Sequence, residues 1–258
     1  MDRSFLSNEK VIEASRRFVC IRLATYEDDA EAEFLKTIYV GNTGALENTV
    51  FVLLSPDGDE NLCRPGRSPQ FAFRSPEQMA LEMGKIADKY DAKTITPSKH
   101  RLPEMKNVRL GVNVGACDGI PSIICYSNDD DELNQMKSRL APLALSDDLA
   151  GKFVYASSNK ATELSMLKGT KKKSAGFYVV TPDEYGLAGK IQEVLDADSN
   201  EDALKKALVE IAENTAKSKK DHNSHVRTGK RSGKSWETEI PVTDPMSLRA
   251  MGRRGGRN

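Results

Sequence analysis

Four cysteines, Cys20, Cys63, Cys117 and Cys125, carry the most reactive side chains in this chain of 258 residues. None forms a Cys-x-x-Cys pair. Cys117 and Cys125 lie too far apart, with no histidine near them, for a zinc knuckle. Cys20 and Cys125 fall in segments that read as buried strands, where a thiol is a small inert apolar group. Cys117, beside Asp118-Gly119, is the candidate redox thiol because a loop there leaves it exposed. The histidines, His100, His222 and His225, lack a third ligand at a convincing spacing. There is no glycine-rich phosphate loop, serine nucleophile elbow or His-Glu-x-x-His. No metal and no cofactor are expected.

Two basic stretches could do recognition instead. Arg64, Arg67 and Arg74 surround Phe71 and Phe73, a composition suited to anion or peptide contacts. The plainer and preferred reading is a proline-rich crossover pinned to the core by the two phenylalanines. The other stretch is the C-terminal tail, with candidate contacts Arg227, Lys230, Arg231, Lys234, Trp236, Arg253 and Arg254. Overall the charges balance, 38 basic against 38 acidic. From Ala216 onward eleven basic residues face four acidic ones, a net +7, so residues 1–215 carry −7. Such a tail binds phosphates in a salt-dependent way, or lies on an acidic body. Trp236, Ile240, Met246 and Leu248 are anchors that favour docking on protein.

The elements that would position these residues follow from periodicity. The chain is 38% hydrophobic and 29% charged, long enough for one large or two ordinary domains. No window approaches a membrane span, and the start has no apolar signal-peptide core. Residues 1–90 read as helix from Ser7, strand Arg17–Leu23, helix Ala30–Tyr39, buried strand Asn48–Leu54, a Ser55-Pro56-Asp57-Gly58 turn, a return strand Leu62–Arg64 and helix Glu77–Tyr90. Residues 91–107 form a proline-containing linker. Residues 108–215 read as strands at Val108–Val114, Pro121–Ser127, Phe153–Ala156 and Gly176–Val180. Helices are expected at Asp130–Leu143, Ala161–Leu167, Leu187–Leu195 and Glu201–Glu213. Residues 216–258 are a basic, glycine-rich, extended tail. The repeat of Phe51-Val52-Leu53-Leu54-Ser55-Pro56-Asp57 as Phe177-Tyr178-Val179-Val180-Thr181-Pro182-Asp183 points to two related modules.

On these motifs the chain resembles the thioredoxin-like superfamily, in its bacterial thiol–disulfide interchange branch. The residues that carry the resemblance are Phe5-Leu6-Ser7-Asn8-Glu9-Lys10-Val11-Ile12, Phe18-Val19 and Val50-Phe51-Val52-Leu53-Leu54-Ser55-Pro56-Asp57-Gly58. In the second module Pro121-Ser122-Ile123-Ile124-Cys125-Tyr126 stands where the strand before the redox motif would run. The resemblance implies an α/β fold of two such modules, each a mixed sheet flanked by helices. It also implies a Cys-x-x-Cys at a helix start, which here is Ser127-Asn128-Asp129-Asp130 in the second module and would precede Met1 in the first. Thr49 stands at the family's cis-proline position. A dithiol exchanger needs a low-pKa thiolate at a helix N-terminus and a resolving thiol, and neither module supplies them.

The function expected is therefore a non-catalytic, thioredoxin-like interaction protein that binds a protein partner, or itself, through a sheet edge or the tail. The rival is a thiol–disulfide oxidoreductase whose cysteine pair lies upstream of Met1. A third reading is anion or nucleic-acid association through the tail alone. The chain as given is expected in the cytoplasm, or exported if a signal peptide lies upstream.

Overall fold

The computed structural model describes residues 4–41, 44–90, 101–169, 175–215 and 221–249. Within them, short polar side chains mark where helices begin. Asn8, Asp28, Ser75, Asn107, Asp129, Asn200 and Asp221 each accept a bond from a backbone N–H of the first turn. The chain divides into two compact units: Met1–Thr96 with Glu237–Asn258, and Pro97–Trp236.

The Pro97–Trp236 unit is built on a six-stranded mixed sheet. Its elements are β1 (Glu104–Met105), α4 (Val108–Asp118), β2 (Ser122–Tyr126), α5 (Asp130–Ala144), β3 (Val154–Ser158), a 3₁₀ turn (Ala161–Met166), β4 (Leu167–Lys168), β5 (Gly176–Pro182), β6 (Gly189–Leu195), α6 (Glu201–Asn214) and α7 (His222–Arg231). Strand order is β1-β3-β2-β5-β6-β4. β1, β3 and β2 run parallel, and β5 is antiparallel to both β2 and β6. All five residues of β2 are buried, because both faces of the sheet are covered. On one face Ile123, Cys125, Tyr155, Phe177 and Val179 pack with Met136 and Leu140 of α5 and Leu204 and Leu208 of α6. On the other, Ile124, Tyr126, Tyr178 and Val180 pack with Val108 and Val112 of α4.

Two elements here correct the sequence reading. Val108–Val114, expected as a strand, is the first part of α4. Its valines mimic a strand, but Asn107 caps its start and Gly119, with φ of 70°, ends it. Gly111 lets this helix lie against the sheet: a Cβ there would stand 2.8 Å from that of Ala156. Leu187–Leu195, expected as a helix, contains β6. Spacings of four between Leu187, Ile191 and Leu195 fit either period. The register shift between Val179 and Val180 leaves Gln192 as an extra residue, so Ile191 and Leu195 serve opposite faces.

The other unit has little regular sheet. It contains α1 (Glu9–Ser15), α2 (Asp29–Ile38) and α3 (Pro76–Ala87). Its core joins Phe5, Val11, Leu53, Phe73, Met79 and Met83. Where a buried strand was expected at Asn48–Leu54, the described residues make two isolated bridges, Phe51 with Gly66 and Leu54 with Asn61. The intervening turn is as expected: Gly58 has φ of 83° and its N–H reaches the Ser55 carbonyl at 2.9 Å. Arg17–Leu23 is not a strand. Val19 is 84% and Ile21 63% exposed, since period-two alternation forms a strand only where another strand is there to pair with it. Cys20, expected buried, is exposed for the same reason.

The tail is also corrected. It is not extended throughout, since His222–Arg231 is helical and residues 245–249 form a further helical turn. Of the expected linker, residues 91–100 lie outside the described residues, while Glu104–Met105 form β1.

Candidate interaction sites

The junction of β2 and α5 is where the resemblance would seat a redox pair, and its geometry is that of a closed polar knot. Ser127 Oγ donates to Glu132 Oε2 at 2.5 Å and accepts the Asp129 N–H at 3.0 Å. Asp129 Oδ1 in turn accepts the Glu132 N–H at 2.8 Å. Asp130, Asp131 and Glu132 occupy the first turn, so the helix dipole is already met by carboxylates. Two residues back, Cys125 is fully buried. Desolvation, together with the Glu104 carboxylate, pushes its thiol far above the ordinary range, against a smaller opposing pull from Lys137. Lys137 Nζ pairs with Glu104 Oε1 at 2.5 Å. A thiol so placed is protonated at neutral pH and closed to solvent.

The other cysteines differ in access. Cys117 is exposed as expected, but on the last turn of α4 rather than in a loop, 4.0 Å from Asn113 Oδ1. Cys63 is half-buried, its thiol raised chiefly by desolvation, and accepts the Leu53 N–H at 3.2 Å. Thr49 hydrogen-bonds its neighbour Asn48 at 3.1 Å, and there is no cis peptide bond among the described residues. No group of three or more His, Cys, Asp or Glu among those residues could hold a metal ion.

Of the three arginines singled out, only Arg67 enters a built site. Its Nη1 lies 2.7 Å from Glu47 Oε2 and 3.0 Å from Asp244 Oδ1, and its Nη2 lies 3.3 Å from Asp244 Oδ2. This is a two-pronged guanidinium–carboxylate pair. Asp244 is completely buried. Burial alone would raise its carboxyl pKa, but Arg67, Ser247 and the Met246 N–H outweigh that and hold it below the usual carboxylate range. Arg64 and Arg74 remain on the surface; Arg74 offers its backbone N–H to Gln78 Oε1 at 2.9 Å. Phe73 is buried edge-on to Phe51, whereas Phe71 is half-exposed.

Around this pair, residues 238–249 are stitched to their own unit along their length. The Ile240 N–H donates to the Tyr26 carbonyl at 2.9 Å. Thr243 Oγ1 and the Tyr26 hydroxyl both donate to the Leu46 carbonyl at 3.0 Å. The Asp244 N–H donates to the Tyr26 hydroxyl at 2.9 Å. Ser247 Oγ accepts from Asn48 Nδ2 at 2.8 Å and donates to Asp244 Oδ2 at 2.9 Å. Ile240 and Val242 pack on Tyr26, Ala32, Leu35 and Leu46. The expected anchors Met246 and Leu248 are instead exposed. Asp244 was not singled out in the sequence, although Asp244-Pro245 is a helix-start signal that names it as a cap.

The other tail candidates among the described residues lie on or just beyond α7. Its packed side carries His225, stacked on Tyr185 with centroids 4.5 Å apart and Nδ1 3.2 Å from Glu184 Oε1. Gly229 allows the approach, since a Cβ there would meet Tyr185 Cε1 at 2.6 Å. Arg227, Lys230 and Arg231 fall at i, i+3 and i+4 and are exposed, as is Lys234 beyond the helix. Trp236 lies under the Arg109 guanidinium, 3.7 Å from the ring centroid. Arg253 and Arg254 lie outside the described residues. No helix among those residues is long and apolar enough to cross a membrane. Compared with family models, curated proteins and solved structures, the chain finds no match in any of the three.

Proposed function

We propose that this chain is a non-catalytic, thioredoxin-like interaction protein that binds protein through the surface organised by its tail. The observation that supports the reading is the pairing of Arg67 with the buried Asp244, by which part of the tail packs on its own unit instead of standing free as a polycation. The thioredoxin-like part of the proposal draws on the strand order. A parallel β2-α5-β3 unit is followed by an antiparallel β5–β6 pair and a closing helix α6. Against dithiol exchange at the β2–α5 junction stands chemistry already present there: the Ser127–Asp129–Glu132 knot satisfies the helix start, and three acidic residues would raise the pKa of any thiol placed there.

The test compares this chain with Ser127→Cys,Asp130→Cys in insulin reduction driven by dithiothreitol. The unaltered chain is expected to add nothing to the reductant's own rate, and turnover by it would overturn the non-catalytic reading. Turnover gained by the double variant would support the thioredoxin-like assignment of the junction.

Nucleic-acid or other anion association is a second reading, favoured by the exposed basic face of α7 formed by Arg227, Lys230 and Arg231. It requires affinity that falls steeply with salt and disappears when the three are changed to glutamine.

A further inference from the structure

We infer that the surface of Tyr26, Leu46, Glu47 and Arg67 is a peptide-recognition groove, occupied in cis by residues 238–247, and that it accepts from a partner an extended segment of apolar–Pro–apolar–Thr–Asp–Pro chemistry. The inference rests on the interaction-protein reading and gives that partner its chemistry.

The contacts have the form of ligand recognition. Main-chain capture is supplied by the Tyr26 carbonyl, which accepts the Ile240 N–H, and by the Tyr26 hydroxyl, which accepts the Asp244 N–H. Such contacts fix an extended segment without regard to its side chains. Side-chain selection has two parts. Ile240 and Val242 sit on an apolar patch of Tyr26, Ala32, Leu35 and Leu46. Four positions after Ile240, Asp244 enters a buried pocket closed by Arg67, with Glu47 beside it. Pro241, between the two apolar residues, is exposed, and its missing N–H costs no bond.

The pocket discriminates by charge. Arg67 sits between two carboxylates, one belonging to the groove (Glu47) and one to the segment (Asp244). Without an aspartate on the segment, the second guanidinium face loses its two-pronged partner. A glutamate would place its carboxylate one methylene too far along. The groove and its occupant lie some two hundred positions apart in the chain, so the segment is a tethered ligand, and its effective concentration sets the threshold a competing peptide must beat. The unaltered chain therefore hides the groove, and release of the segment exposes it.

The test uses a fluorescently labelled synthetic peptide with the sequence of residues 236–249, titrated by anisotropy against the full chain and against full-length Ile240→Ser,Asp244→Ala, with circular dichroism to establish that each is folded. The released variant is expected to bind the peptide at least tenfold more tightly than the unaltered chain. Adding Arg67→Ala to it, or Asp→Asn to the peptide, should cost most of that gain. Equal binding by the unaltered and released chains would place the peptide elsewhere and overturn the inference. No binding by a folded released variant would make the segment a structural strap only. That result would leave the non-catalytic part of the reading standing, which the insulin assay tests separately. If the double variant does not fold, Asp244→Asn alone carries the same measurement with a smaller expected gain. Failure of that chain to fold or to bind overturns the groove.

Discussion

The two units bury their cores in different ways. In Pro97–Trp236 a sheet with both faces covered places Tyr178, Phe177, Ile123 and Ile124 wholly out of solvent, and every central strand is hydrogen-bonded on both sides. In the unit of Met1–Thr96 with Glu237–Asn258, the strand-like segments Arg17–Leu23 and Asn48–Leu54 form no ladder among the described residues, and a distant polar clasp joins chain segments that no sheet connects. The first unit gets its order from apolar area, which is non-directional and adds over many side chains. The second has smaller apolar clusters, and the hold of its C-terminal segment adds a few directional bonds to one buried carboxylate, which fail together when a single partner is removed. Binding surfaces are drawn from the second kind, because a segment held by a few such bonds can be exchanged for another.

That contrast can be broken at several points. The largest effect is expected from Phe177→Ala in the sheet, about 3–5 kcal/mol of destabilisation for loss of a fully buried aromatic. Trp236 emission during urea unfolding reports it, since the single tryptophan belongs to this unit. An effect below about 1 kcal/mol would mean the two-faced core is not the main support. Next comes Asp244→Ala, expected to cost about 2–3 kcal/mol in its own unit for loss of charge-assisted bonds. Hydrogen exchange should show lost protection at the Ile240 N–H while the β2 and β5 amides stay protected. Equal loss in both would erase the contrast.

The clasp also predicts a pH response. The Asp244 pKa is lowered in the folded protein, so its contribution is complete above the unfolded value of about 3.9 and is lost as pH falls through the lower folded value. Ile240 protection should therefore hold steady above about pH 5 and decline only in stronger acid, and a decline centred near neutrality would assign control to another group. Thiol chemistry sharpens the comparison further. Cys20 and Cys117, both exposed, should react with Ellman's reagent promptly, Cys63 more slowly, and Cys125 only on unfolding. Prompt labelling of all four would contradict a sealed sheet. The smallest expected effect is that of Arg109→Ala, about 0.5–1 kcal/mol from the lost cation–π contact, read as a shift of Trp236 emission.

How far the sequence could be read varied with the range of the interaction. Helices were legible where an amphipathic run stands out, as at Ala30–Tyr39 and Asp130–Leu143, although the first helix, expected from Ser7, is capped one residue later by Asn8. The Ile123–Tyr126 and Phe177–Val180 runs were legible as strands, because continuous apolar residues bounded by turns fit a buried sheet. Val108–Val114 was not, since a buried helix rich in valine, laid close on Ala156 by Gly111, carries apolar residues of the kind a strand does. For the site, Arg67 was among the residues singled out and Asp244 was not. An arginine near aromatic residues is a visible cluster, whereas a lone aspartate before a proline in a basic tail is not.

Legible from the sequence alone were the two most buried strands, the acid-filled start of α5 and the excess of basic charge after Ala216. Each depends on residue type and near spacing alone. Tertiary structure decided that Gly189–Leu195 runs as a strand with one extra residue, that Val19 and Ile21 stay exposed, and that Asp244 is buried against an arginine 177 positions away. Those outcomes turn on which surface a segment meets, and that is fixed by packing between parts of the chain that local periodicity does not relate.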